Sequence, residues 1–334
     1  TRTLAALCAA ALIFVAALLL ATTPPDTIAS LDKDALRTQN YLYGAIGLVS
    51  AMLVTGTSVV VARKSPGPSG IALAHTVPLL TAAAALRLTQ SQWDKGGWIS
   101  VGVGLLIGSL AALALPKRYR ISIAAPLLLG SVIAATGLMV YVGNLSQRGV
   151  SAVLFAFVVV LLQLAPWVAL AHIPVRILDA NTTEQIPAQG VTDQVSTSFV
   201  FVVALRSGGG LAAIFLTVSM LSAPAKGSVF LPLMLVLLGA VSLILQTRSI
   251  RARVEVLLGA LTGLSAILVA AALATRTDAT VLPWVTLLAV AAALVLVITN
   301  VVGPRMRPHL ARLADTLSVL SLFALIPLAV YLWG

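Results

Sequence analysis

Apolar residues in this chain fall into long runs, and short clusters of Lys, Arg, Pro and Gly separate them. A helix needs about 20 mostly apolar residues to cross roughly 30 Å of hydrocarbon. That ruler places spans near 3–22, 41–62, 70–88, 97–116, 121–143, 150–172, 199–222, 228–246, 254–275, 280–302 and 314–333. The pattern predicts an all-α integral membrane protein, a bundle of eleven transmembrane helices forming one transmembrane domain over 1–334. An odd number of crossings puts the termini on opposite sides. The first run, "TLAALCAAALIFVAALLLA", follows Arg2 and ends in "TTPPD". It is too long for a secretory signal core and reads as a spanning helix. The absence of an initial Met suggests that residues precede Thr1 in the natural protein.

Most connections are short and carry helix breakers: "RKSPGPSG" (63–70), "PKRYR" (116–120), "NLSQRG" (144–149) and "SAPAKGS" (222–228). Short connections join neighbouring antiparallel helices. Only 23–40 and 173–198 are longer, and neither holds a soluble domain.

Composition agrees with the pattern. Hydrophobic residues make up 60% of the chain and charged residues 9%, against roughly 25% charged in soluble domains; the mean hydropathy is +1.06. The net charge of +11 would suggest a nucleic-acid partner in a soluble protein. Here it sits in clusters between apolar runs, so it reports orientation, and no nucleic acid is expected. Cytoplasmic loops retain Lys and Arg. Sorting all 21 by loop places 14 on the side of Arg2, Arg63, Lys64, Lys117, Arg118, Arg120, Arg176, Arg206, Arg248, Arg251, Arg253, Arg305, Arg307 and Arg312. The other seven, Lys33, Arg37, Arg87, Lys95, Arg148, Lys226 and Arg276, fall opposite. The N-terminus is therefore predicted to be cytoplasmic and the C-terminus periplasmic. In "QTRSIRARVEVLL" (246–258), Arg248, Arg251 and Arg253 occupy a tight turn between two spans. Each is expected to contribute about 1 kcal/mol near anionic lipid.

Ionisable residues within spans are functional candidates by default, and few are evident. His75 lies about two turns into the third span, and Gln163 lies mid-helix, where helix-to-helix hydrogen bonding is its expected role. His172 and His309 sit at helix ends; three scattered histidines and one cysteine, Cys8, make no metal site. "GWISVGVGLLIGSL" (97–110) lacks the strand before it and the Lys-Ser after it that a phosphate loop requires. Gly104 and Gly108, four apart, instead favour close helix approach. No catalytic residue, cofactor or metal is expected. Prolines interrupt several runs (Pro78, Pro126, Pro166, Pro232, Pro283, Pro327) without a matching pair between halves, so a coupled transporter is poorly supported. A permease for a small solute or lipid is the alternative that stays open.

After Gly190 the chain can remain helical from about 191 to 221, a length of about 46 Å that exceeds the bilayer core. Val191, Val195 and Phe199 form a single apolar stripe on the projecting turns, suited to a bilayer surface or to a partner.

Three segments carry a resemblance: "APWVALAHIPVRI" (165–177), "QTRSIRARVEVLLGALTGL" (246–264) and "GPRMRPHLARLADTLSVLSLFALIPLAVYLWG" (303–334). In this order, among eleven spans, the chain resembles the EccD family, the multi-spanning membrane component of mycobacterial type VII (ESX) secretion systems. The resemblance implies a non-enzymatic scaffold in the inner (plasma) membrane. It also implies a second copy pairing with the first to enclose a lipid-filled vestibule, and an ATPase subunit and other membrane components as partners. The family normally begins with a cytoplasmic ubiquitin-like domain, which does not occur in these 334 residues.

Overall fold

Hydrocarbon offers no partner to a backbone N–H or C=O, so each long apolar run must satisfy its own backbone as a helix. A computed structural model describes residues 2–22, 33–64, 68–89, 97–115, 120–171, 188–223, 228–247, 253–277, 279–283, 286 and 307–333. Among them there are ten α-helices and no strand: α1 (Arg2–Thr22), α2 (Lys33–Lys64), α3 (Pro68–Thr89), α4 (Gly97–Ser109), α5 (Ala124–Tyr141), α6 (Gln147–Ala171), α7 (Ala188–Ser222), α8 (Phe230–Gln246), α9 (Arg253–Thr277) and α10 (Arg307–Trp333). Seven described helices are long and apolar enough to cross a membrane, and three apolar helices are shorter. The expected span at 280–302 lies almost wholly outside the described residues. The long helix expected near 191–221 is α7, whose 35 residues extend about 52 Å.

Two features adjust helix length and direction. After Ser109, α4 tightens into a 3-10 turn over Leu110–Ala114, which rises about 2.0 Å per residue instead of 1.5 Å and stretches a short helix. Between α5 and α6, Asn144 adopts a φ of 50°, a left-handed conformation that Asn tolerates better than most residues. Ser146 Oγ then accepts the Gly149 N–H at 3.2 Å, capping the first turn of α6.

The chain divides into two compact units, Thr1–Asn144 with Trp167–Gly208, and Leu145–Pro166 with Gly209–Gly334. In the first unit α3 is central: α1, α2 and α4 pack on it, and α5 packs on α4. Its core is built largely from small residues. Ala17, Ala51, Val77 and Leu80 form one cluster, and Ala62, Ala74, Ala112 and Leu115 form another. Lipid tails are as apolar as leucine, so van der Waals contact and interhelical hydrogen bonds hold membrane helices together. Small side chains bring the helices close enough for both.

The glycines of α4 show how. A Cβ on Gly104 would lie 2.7 Å from Ala82 Cα of α3, and one on Gly108 would lie 2.6 Å from Pro78 Cα. Gly102 points the other way, where a Cβ would lie 2.6 Å from Ala134 Cα of α5. The three glycines thus let α4 nest between two helices at once. Thr81 Oγ1 also reaches the Gly104 carbonyl across the interface at 2.7 Å.

In the second unit α9 and α10 pack on α8. Gly239 of α8 sits under Phe155 of α6, and Gly263 of α9 sits against Ile244 and the Ala240 carbonyl of α8. Phe155, Val158, Leu216, Leu235, Val236 and Leu325 are fully buried there.

Candidate functional site

Polar groups inside a membrane bundle are costly unless partnered, so their positions show where the fold commits chemistry. In the second unit they form two clusters. In one, Gln147 Nε2 of α6 donates to the Ser219 carbonyl of α7 at 3.0 Å, and the Ser151 and Ser219 hydroxyls lie 2.8 Å apart. In the other, Gln163 Nε2 donates to Ser242 Oγ at 2.6 Å and to the Ser242 carbonyl at 3.2 Å, while Gln246 Nε2 donates to the Gln163 main-chain carbonyl at 3.0 Å. The expected role of Gln163 as interhelical glue matches this arrangement. Replacing Gln163 by Leu should lower the detergent melting midpoint, with a loss of about 0.6–1.7 kcal/mol. Ser242→Ala should cost less, because the Ser242 carbonyl still accepts; equal effects would contradict the assigned bonding.

The first unit holds two buried cations that sorting by loop treats as surface charges. Arg87 is only 2% exposed; it lies in the last turn of α3 and its Nε donates to the Leu20 carbonyl of α1. Arg206 is 4% exposed and lies well inside α7. Glu255, in the first turn of α9 in the second unit, is likewise buried. A charge near the end of an apolar run looks like a loop anchor in sequence. Only the face it occupies reveals that it points inward.

The other candidates distribute as follows. Phe199 is 40% exposed on α7. Val191 and Val195 lie two turns and one turn before it on the same helix, and their side chains fall outside the described residues. Arg253 opens α9 and is exposed; Arg248 and Arg251 lie outside the described residues, as does His172. His75 is half-buried in α3. No group of three or more His, Cys, Asp or Glu is placed to hold a metal among the described residues.

Basic residues cluster at helix ends. Arg63 and Lys64 close α2, where cations interact favourably with the negative end of the helix dipole. Arg120 Nε donates to the Leu115 carbonyl at 2.9 Å, fastening the turn between the α4 extension and α5. At least this member of the "PKRYR" cluster has a structural task besides orientation.

Comparison with known proteins decides the family. A model described as EccD-like transmembrane domain matches residues 1–334. The chain belongs to the EccD family. Its fold is shared with protomer 1 of an ESX-3 core complex, at 18% identity and a TM-score of 0.72, over 99% of this chain and 74% of that one. An ESX-5 inner membrane complex, free of MycP5 and in its state II, matches at 20% identity and a TM-score of 0.53, over 85% of this chain and 71% of that one. No curated protein matches the chain. This EccD-family chain is a transmembrane protein with several helices long and apolar enough to cross a membrane. The family read from its loop sequences is the family the match gives.

Proposed function

We propose that this EccD-family chain is a non-enzymatic scaffold subunit in the membrane core of a type VII protein secretion complex. The observation that carries the reading is the family match over the whole chain, together with a fold shared over 99% of its length with an ESX-3 core complex protomer. In this reading two copies pair to enclose a membrane vestibule, and an ATPase subunit and other membrane components join them. The ATPase supplies the energy. The N-terminus lies in the cytoplasm and the C-terminus in the periplasm, with Arg248, Arg251 and Arg253 holding α8 and α9 to the cytoplasmic face. The first turns of α7, carrying Val191, Val195 and Phe199, dock a partner subunit.

Extraction of the tagged full-length protein from native membranes in mild detergent tests this. The expected result is a large assembly that contains two copies of the chain, an ATPase and other membrane subunits. Recovery as a lone monomer would sink the scaffold reading. Simultaneous Ala replacement of Val191, Val195 and Phe199 should lower the yield of intact complex about tenfold, equivalent to about 1.4 kcal/mol of association. Unchanged yield would leave those turns without a docking role.

A further inference from the structure

Between α1 and α4 the first unit leaves an open-sided groove of about 160 Å³. α3 supplies its floor with Leu79, Ala82, Ala83 and Leu86, and α1 supplies one wall with Phe14, Ala17, Leu18 and Ala21; Val101 of α4 faces them. Every lining residue is apolar. The groove runs for two helical turns along both α1 and α3, about 10 Å. A single slender apolar chain of that length suits a groove of this size.

Its two ends differ in chemistry. At one end Phe14 and Leu79 sit in the interior of their helices. Beyond the other end, at Ala21 and Leu86, are the exposed Thr22, the Thr89 hydroxyl bonded to Ser100 Oγ at 2.7 Å, and Trp98, 39% exposed. Tryptophan concentrates at the level of lipid headgroups. An occupant with an apolar tail toward the membrane centre and a polar head at the interface fits both ends.

We propose that this groove is a binding slot for one acyl chain of a glycerophospholipid, held more persistently than the lipid around it. Walls from α1, α3 and α4 reach the tail on three sides. With the proposed orientation of the chain, the lipid belongs to the periplasmic leaflet. The slot itself rests only on the chain being a membrane protein, so it stands or falls separately from the secretion reading.

The test reconstitutes the full-length protein in phosphatidylethanolamine and phosphatidylglycerol vesicles that contain a trace of phospholipid with a photoreactive acyl chain. Cross-linked peptides are then mapped by mass spectrometry. Labelling of the segments around Phe14, Leu86 and Val101 should exceed that around the openly exposed Phe323 of α10, 73% exposed, by about tenfold, the scale on which an apolar pocket discriminates. Ala21→Leu and Ala83→Leu fill the slot from different helices. Each should reduce the excess to the Phe323 level while leaving labelling at Phe323 unchanged, and a circular-dichroism melting profile like the parent's shows that the variant is folded. Equal labelling at both places, or an excess that survives both substitutions, would overturn the slot. So would a native complex in which the segments around Phe14 and Leu86 cross-link to another protein and not to lipid.

Discussion

Replacing Gly104 by leucine is expected to produce one of the largest losses of stability available to a single substitution in this chain. A Cβ there would meet Ala82 Cα and the Thr81 carbonyl at 2.7 Å, and both are backbone atoms that cannot rotate aside. α4 has no room to retreat, because Gly102 on its other side is already against Ala134 of α5. The helices must separate, which also breaks the Thr81–Gly104 hydrogen bond of 2.7 Å. Overpacking costs typically 1–3 kcal/mol and an interhelical hydrogen bond about 0.6 kcal/mol, so a loss of about 3 kcal/mol is expected. The check is the melting midpoint in detergent, which should fall from the parent to Gly104→Ala and again to Gly104→Leu. Gly56 of α2 provides the control: nothing lies within 4 Å of a Cβ built there, so Gly56→Leu should melt like the parent. If both leucine variants behave alike, close approach of α3 and α4 is not what Gly104 is for.

How much of this is visible in the sequence depends on whether the signal is one-dimensional. Runs such as 150–172 and 254–275 betray themselves by length, and α6 and α9 lie where those runs lie. The length of α7 back to about residue 191 is legible because no Pro or Gly interrupts the stretch from 191 to 205, whereas its continuation through Gly190 to Ala188 is not. Gly104 and Gly108 signal close approach by their spacing, and Gln163 signals an interhelical bond by being a lone amide in an apolar run. Facing is a different matter. Leu, Ala and Val surround almost every position, so periodicity does not say that Gly102 turns toward α5 while Gly104 turns toward α3. For the same reason the nine lining residues of the acyl slot are indistinguishable from their neighbours. The division into two units is also silent in the sequence, because Gly208 and Gly209 sit inside one continuous helix and no change of composition marks the boundary. Buried charge escapes the sequence for a related reason. Charge counting by loop gives Arg87 a side of the membrane but not its burial, and the structure turns its guanidinium to the Leu20 carbonyl of α1.

That guanidinium supports the second large prediction. The last carbonyls of a helix have no partner within it, and at the end of α1 the Leu20 carbonyl is met by a side chain of another helix. Thr22 Oγ1 donates to the Leu18 carbonyl at 2.8 Å, and Arg87 Nε donates to the Leu20 carbonyl. Arg87 also places a cation at the negative end of the α1 dipole. Arg87→Met keeps most of the apolar stem but withdraws the donor and the charge. Losing a hydrogen bond to a charged group costs about 1.5–3 kcal/mol. The loss should concentrate on α1, because α1 packs chiefly on α3 and far less on α2. Hydrogen exchange followed by mass spectrometry should therefore show faster exchange in the last turns of α1 in the variant. Exchange in α8 and α9 should stay as in the parent. Arg87→Lys should fall between the two, since it restores a cation without the planar donor fork. Because α1 is also a wall of the acyl slot, Arg87→Met should weaken the lipid labelling around Phe14 as well. Unchanged protection of α1 would mean that the guanidinium is buried there without fastening the helix.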